Sequence, residues 1–190
     1  MRLRQTGLAD IADDPVAFEA FYRRHFEAVT RFLARRVGDP HAVADLTADV
    51  FLAVLDSAHT YRPGKGSEIA WLYGVARNTM LAERRRSARE SRANSRIAGR
   101  RLLESDDVSR LEDRIDAESP ARRAMEAMAG LPENDRALLE LVAVDGLSPA
   151  EAAAALGIRQ GTARVRLHRA RRALRQIPGV VPPLVMEGHR

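Results

Sequence analysis

The sequence predicts an all-α fold with two small helical domains, joined by a charged linker, and a helix-turn-helix in the second domain. Three observations support this prediction. The 190 residues are 45% hydrophobic but only 5% aromatic, and alanine and leucine dominate the apolar part, which is typical of helices packed on helices. Apolar residues recur every three or four positions, without the alternation of a strand. Finally, a block of opposite charges separates two helical stretches.

This charged block sets the predicted domain boundaries. Eight arginines and two acids lie between Glu83 and Arg101, followed by seven acids and two arginines between Glu104 and Glu118. Such a stretch, poor in large apolar residues, predicts a linker or a partly helical tether over 89–120. The predicted domains are therefore 15–88 and 121–177, flanked by an N-terminal extension, 1–14, and a short tail, 178–190.

The first domain is predicted to contain three helices. Asp14-Pro15 predicts the first start, with the aspartate as N-cap, and Gly38-Asp39-Pro40 predicts its end. The apolar stripe of this helix is Phe18, Phe21, Tyr22, Phe26, Val29 and Phe32/Leu33. The second helix carries Val43, Leu46, Val50, Phe51, Val54 and Leu55. After a loop at 60–67, a third helix is predicted to start near Ser67 or Glu68. Its stripe is Ile69, Leu72, Tyr73, Ala76 and Met80, and it runs into Arg84, Arg85 and Arg86.

The second domain is marked by clear helix boundaries. One helix is predicted over about 121–129, and Leu131-Pro132 opens another that ends at Asp145-Gly146. Ser148-Pro149-Ala150-Glu151 is a capping box with proline at the first helical position, and this short helix ends at Leu156-Gly157. The last helix is predicted over about 160–176, with the apolar stripe Ala163, Leu167, Ala170 and Leu174.

The segment from Ser148 to Leu174 is the strongest functional candidate. Small residues, Ala152 and Ala153, and Leu156 stand where two helices of a helix-turn-helix must cross closely. The second helix carries Arg164, Arg166, Arg169, Arg171, Arg172 and Arg175. A helix in the major groove needs basic residues for phosphates and a few side chains for base edges. The alternative is a solvated basic face, which is less favoured because the cap, the glycine turn and the arginine face occur together.

A second candidate is the segment from Trp71 to Met80 with the basic cluster after Glu83. Asn78 can pair with base edges, and the arginines can hold phosphates. The aromatic and glycine-containing loop before it can receive an unstacked base. A core tryptophan beside a basic helix end explains the same residues equally well.

A third candidate is the segment from Ala44 to Leu52. Asp45 and Asp49 lie one turn apart on one helix face, and Leu46 and Val50 lie on a neighbouring face. Without further context, an ordinary amphipathic helix is the favoured interpretation.

Several classes of function are excluded or lack support. The chain has no cysteine, which excludes disulfide scaffolds and thiolate zinc sites. The histidines have no ligand-like spacing, and the phosphate-loop and nucleophile-elbow motifs are absent. We therefore expect no enzyme activity, catalytic residue, metal, cofactor or small-molecule substrate. No apolar run approaches the roughly 18 residues of a membrane span, and the N-terminus lacks a signal-peptide core, so a cytoplasmic location is expected. The pI near 10.5 indicates an anionic partner.

In this order, the three candidate segments resemble a bacterial sigma factor of the extracytoplasmic-function (ECF) group. The resemblance covers about 15–88 and 121–176. It implies a protein that binds core RNA polymerase and directs promoter-specific transcription initiation. It further implies contacts with the β′ clamp helices and the β flap, recognition of minus-ten and minus-thirty-five promoter DNA, and an anti-sigma factor as partner.

The resemblance also implies roles for individual residues. Those implied to bind core polymerase are Asp45, Leu46, Asp49, Phe51 and Leu52. Those implied to bind minus-ten DNA are Tyr61, Lys65, Ser67, Trp71, Arg77, Asn78, Arg84 and Arg85. Those implied to bind minus-thirty-five DNA are Gln160, Thr162, Arg164, Arg166 and Arg169.

The sequence departs from the family pattern at four positions. Ala48 stands where glutamine is usual, and Leu55 where tryptophan is frequent, which affects the strength of the polymerase contact. Arg159 replaces a common serine N-cap, a loss of about 1 kcal/mol. Val165 replaces a frequent small polar residue and can alter base preference.

Three other functions remain as alternatives. An autonomous helix-turn-helix regulator explains 121–177 but assigns no role to the other two segments, and such regulators usually dimerise. A metal-dependent nuclease lacks a convincing carboxylate or histidine cluster. A structural protein whose arginines coat an acidic partner would show no sequence preference toward DNA.

Overall fold

The structure, a computed structural model, describes residues 8–93 and 125–175, and every regular element within these ranges is helical. The predicted all-α fold is therefore confirmed for this part of the chain. The extension 1–7, the linker with its acidic stretch, and the tail lie outside the described residues. The described residues divide into two compact units: 8–62 with 72–93, and 63–71 with 125–175.

The first unit is built on two capped helices, α1 (Pro15–Ala34) and α2 (Pro40–Ser57). As predicted, Asp14 is the N-cap of α1: its Oδ1 accepts hydrogen bonds from the Val16 and Ala17 amides at 2.9 and 3.3 Å. Asp39 caps α2 in the same way, accepting from the His41 amide at 3.2 Å. Because a side-chain oxygen satisfies amides that the helix itself cannot, both starts are well defined.

The third helix, α3 (Glu68–Ala93), starts where the sequence predicts. Short 3-10 turns at Ala58–Thr60 and Pro63–Lys65 form part of the predicted loop before it. Within the first unit, Tyr73 of α3 stacks on Phe32 of α1, with ring centroids 4.7 Å apart. The core also contains Leu33, Val43, Val50, Val54, Leu72 and Ala76, all fully buried.

The second unit contains α4 (Glu133–Ala143), α5 (Pro149–Ala155) and α6 (Gln160–Leu174). Of the helix predicted over 121–129, residues 125–127 are helical and 121–124 lie outside the described residues. Helix α6 packs against both α4 and α5. The buried stripe of α6 is Ala163, Leu167, Ala170 and Leu174, as predicted.

The helix-turn-helix depends on a capping box and a glycine. The Glu151 amide donates to Ser148 Oγ at 3.2 Å, and the Ser148 amide donates to Glu151 Oε2 at 3.0 Å. Gly157 has φ +64° in the turn between α5 and α6, a conformation that glycine adopts without steric cost. Ala152 and Ala153 are buried at the crossing, whereas Leu156 is only half-buried.

Candidate nucleic-acid interface

The exposed side of α6 carries most of the residues predicted for the minus-thirty-five element. Gln160, Thr162, Arg164 and Arg169 are exposed, whereas Arg166 is half-buried. They fall on two flanks of the helix: Gln160 and Arg164 line a groove beside α5, whereas Arg166 and Arg169 face Asp135 of α4. Arg159, the residue before α6, makes no side-chain hydrogen bond to the start of this helix, as predicted from its replacement of a serine.

A buried acid beneath α6 was missed by the sequence analysis. Asp135 of α4 is only 5% exposed, and its Oδ1 accepts a hydrogen bond from Arg169 Nη2 at 3.1 Å. The Arg166 Nε lies 4.0 Å from the same oxygen. The sequence signal was the position of Asp135, three and four residues before Leu138 and Leu139, on the apolar face of α4. An acid on that face needs a partner, but the sequence does not identify it.

A second basic surface flanks α6 on the side of α5. A groove of about 540 Å³ is lined by Ser148, Pro149 and Ala150 together with Gln160, Arg164, Leu167, His168, Arg171 and Arg175 of α6 and its end. Of the arginines in this lining, only Arg164 was predicted as a DNA contact. The Arg171 Nε is buried and has no hydrogen-bond partner among residues 8–93 and 125–175. The groove therefore offers several cationic groups beside the predicted contact face, which suits an anionic ligand such as a phosphate backbone.

The eight residues predicted for minus-ten DNA are distributed between the two units. Tyr61, Arg77, Asn78, Arg84 and Arg85 belong to the first unit, and Lys65, Ser67 and Trp71 belong to the second. Lys65, Asn78, Arg84 and Arg85 are exposed, and the other four are half-buried.

Arg84 and Ser67 are among the residues of this set that already make polar contacts. Arg84 Nη2 donates to the Arg36 carbonyl at 3.3 Å. Ser67 Oγ donates to Glu151 Oε1 at 2.5 Å within the second unit. This hydrogen bond is the largest of the causes that lower the pKa of Glu151, followed by those from the Ser148 side chain and amide, against a smaller effect of burial.

The residues predicted to bind core polymerase fall on two faces of α2. Asp45 and Asp49 are exposed, and Leu52 is 61% exposed. Leu46 and Phe51 are buried instead. Phe51 packs edge-on against Phe21, at 6.3 Å between centroids, so it attaches α2 to α1.

The exposed acids of α2 border a mixed-charge groove within the first unit. The groove has a volume of about 440 Å³ and is lined by Asp45, Asp49, Glu83, Arg36, Arg84 and Arg86 with apolar residues between them. Glu83 accepts from Arg86 Nε at 2.7 Å, and that hydrogen bond is the main reason why the pKa of Glu83 is lowered. Leu52 lies on the same side of α2 as Asp45 and Asp49 but does not line the groove.

Within 8–93 and 125–175, no cluster of three or more histidine and acidic side chains is placed to hold a metal ion. Among those same residues, no helix is both long and apolar enough to cross a membrane.

Comparison with known proteins gives two family matches. Residues 21–90 match the family described as Sigma-70 region 2, and residues 121–174 match Sigma-70, region 4. The chain is 31% identical to the ECF RNA polymerase sigma factor SigL of Mycobacterium tuberculosis, covering 90% of this chain and 93% of SigL. It is 36% identical to the ECF sigma factor SigF of Caulobacter vibrioides, with 75% and 74% covered. With SigE of Mycolicibacterium smegmatis it shares 31% identity, over 90% of this chain and 66% of SigE.

Solved structures share the fold. The structure of CnrH in complex with the cytosolic domain of CnrY has a TM-score of 0.54 and 26% identity, covering 88% of this chain and 92% of that one. The sigma factor RpoE in complex with the anti-sigma factor NepR, from Bartonella quintana, has a TM-score of 0.56 and 21% identity, covering 84% and 94%.

Proposed function

The chain belongs to the ECF group of RNA polymerase sigma factors, and we propose that three separate surfaces of it bind core polymerase, minus-ten DNA and minus-thirty-five DNA. As a member of this family, the protein binds core RNA polymerase and directs promoter-specific transcription initiation. The assignment of individual residues and the domain boundaries 15–88 and 121–177 are our proposal. The family consists of DNA-binding initiation factors, and we infer that this chain has no catalytic activity and acts in the cytoplasm.

The exposed face of α2 is the proposed polymerase contact. Asp45, Asp49 and Leu52 lie at intervals of four and three residues, so they share one side of the helix. Leu52 supports the assignment because its side chain is 61% exposed. A partner that covers it would remove this apolar surface from water, which favours binding. Leu46 and Phe51, which the resemblance also implies as contacts, act in this proposal by holding the helix in place.

Helix α3 and the loop before it are the proposed minus-ten surface. Asn78 is exposed and one to two turns before the exposed Arg84 and Arg85. An amide can pair with a base edge while guanidinium groups hold the backbone on the same helix. Trp71 and Tyr61, both half-buried, are the proposed stacking partners for unpaired bases.

The proposed minus-thirty-five surface is the exposed side of α6. The arrangement of the helix-turn-helix is the observation that carries the proposed function. A short capped helix, a left-handed glycine and a helix with a cationic outer face occur together in one compact unit. In our proposal, α6 enters a major groove, where its arginines meet phosphates and base edges. We assign Arg164 to the backbone and Arg169 to a base edge.

We further propose that an anti-sigma factor holds the protein when it is not on polymerase. The support is the similarity to CnrH, whose structure was solved in complex with the cytosolic domain of CnrY. The exposed part of α2 is the proposed surface that such a partner would cover.

Reconstitution tests the proposed function. The purified chain is mixed with sigma-free bacterial core RNA polymerase, followed by size exclusion and selection of genomic fragments that the complex transcribes. Co-elution with promoter-specific transcripts is expected, and the selected fragments will contain both promoter elements. Tight binding of duplex DNA by a dimer of the chain, without co-elution, would instead indicate an autonomous regulator.

A further inference from the structure

Asp135 stands apart from the other acids of α4. Glu133 forms an exposed ion pair with Arg136 of the same helix, and Glu140 lies 3.6 Å from that arginine. Asp135 instead reaches another helix, where a single carboxylate oxygen faces both Arg169 and Arg166 of α6. The acid is buried, yet its two partners belong to the helix that we place in the major groove.

The two arginines are engaged to different degrees. The side chain of Arg169 is 61% exposed, although one of its nitrogens is bonded to Asp135 at 3.1 Å. The side chain of Arg166 is 24% exposed and its Nε is 4.0 Å away. A guanidinium has five N–H donors in a planar fork. Arg169 is therefore held at one nitrogen while its other donors remain available to a ligand outside the protein.

A carboxylate in this place has a cost for DNA binding. It reduces the positive charge that α6 presents, and DNA affinity without regard to sequence depends chiefly on that charge. A buried ion pair is also weak evidence for stability, since apolar residues of similar volume often serve as well. What the pair does provide is orientation, because a charge-assisted hydrogen bond restricts a flexible side chain to one geometry.

We propose that Asp135 is a positioning residue that sets minus-thirty-five specificity, by holding Arg169 in one orientation and restraining unspecific phosphate binding by Arg166 and Arg169. The inference rests on the proposed function, in which α6 reads minus-thirty-five DNA. In the free side chain, the guanidinium of Arg169 would follow any nearby phosphate. Held by Asp135, it presents its fork to one base-pair position, at which a correct base is favoured.

The test compares Asp135→Asn with the matched control Glu133→Gln. Each removes one negative charge from α4, but only the first removes the buried partner of Arg169. Full-length variants are assembled with core RNA polymerase, and their affinities for a minus-thirty-five duplex and a scrambled duplex are measured over a salt series. For Asp135→Asn we expect higher affinity for the scrambled duplex, a salt dependence steeper by up to about 1, and discrimination lower by about fivefold. For Glu133→Gln we expect wild-type discrimination.

A double-mutant cycle with Arg169→Ala shows whether Asp135 acts through Arg169. In that background, the effect of Asp135→Asn on discrimination is expected to be smaller, because only Arg166 remains to be released. Equal discrimination in Asp135→Asn and Glu133→Gln, or a full effect of Asp135→Asn without Arg169, would overturn the inference. If Arg169→Ala itself leaves minus-thirty-five binding unchanged, the placement of α6 in the proposed function is wrong.

A variant of Arg169 keeps the test independent of how Asp135→Asn folds. Arg169→Lys preserves the charge and the buried carboxylate but loses the planar fork. It is expected to lower discrimination with an unchanged salt dependence. Retention of wild-type discrimination by Arg169→Lys would contradict the inference.

Discussion

Arg164→Ala tests whether the outer face of α6 meets the DNA backbone. Arg164 is exposed and lines the cationic groove with His168 and Arg171, so one phosphate contact is expected to disappear with its side chain. Each contact contributes about 0.9 to the slope of log affinity against log salt. Between 50 and 200 mM salt, a fourfold change, the wild type should therefore lose about 3.5-fold more affinity than the variant.

The assay is fluorescence anisotropy with holoenzyme and a labelled duplex that contains the minus-thirty-five region alone. Arg23→Ala, which removes an equally charged and exposed side chain from α1, serves as the control and should keep the wild-type slope. Because a phosphate contact carries no sequence information, promoter and scrambled duplexes should lose affinity by the same factor. A slope identical to that of the wild type would refute the reasoning and show that Arg164 is merely solvated.

Three other substitutions test the remaining surfaces. Asn78→Ala should lower promoter opening, measured by permanganate reactivity, with unchanged core binding; an equal loss of core binding would mean that α3 is misassigned. Leu52→Ala should weaken core binding by about 5- to 30-fold, which corresponds to a loss of about 1–2 kcal/mol, as measured by competition binding. Its free energy of unfolding, measured by urea denaturation, should change by less than about 0.5 kcal/mol. Glu151→Gln tests a pH dependence. Hydrogen bonds from Ser67 and Ser148 lower the pKa of Glu151 in the folded state. The Glu151 carboxylate therefore stabilises the fold at pH values above its unfolded-state pKa, and this stabilisation is lost as the pH falls through its folded-state pKa. The stability difference between wild type and Glu151→Gln should shrink from about pH 7 to about pH 3, and a difference independent of pH would contradict it.

Local chemistry explains which parts of the fold were predictable. Asp14-Pro15 and the capping box between Ser148 and Glu151 act over three residues, so the sequence around them contains nearly all the atoms involved. Gly157 is similar, because a left-handed turn between two apolar stripes restricts the residue type. These helix starts and turns were predicted correctly.

Tertiary packing explains what the sequence could not supply. The apolar spacing of α2 includes Phe51, but it does not identify the partner of this ring, which is Phe21 of α1. Asp135 and Arg169 are 34 residues apart, and no periodicity predicts that they meet. Ser67 belongs to a predicted minus-ten loop, yet it donates a hydrogen bond to Glu151, which is 84 residues away in the sequence.

The burial of Leu46 and Phe51 has a consequence for genetics. A screen for sigma variants that fail to engage polymerase will recover substitutions at these positions together with substitutions at Leu52. The first group reduces the amount of folded protein, since removing a buried leucine or phenylalanine costs about 2–5 kcal/mol. Substitutions at Leu52 leave the amount of folded protein unchanged and weaken only its binding to polymerase. Overexpression or a lower growth temperature should rescue the first group selectively, and this separates defects of abundance from defects of recognition.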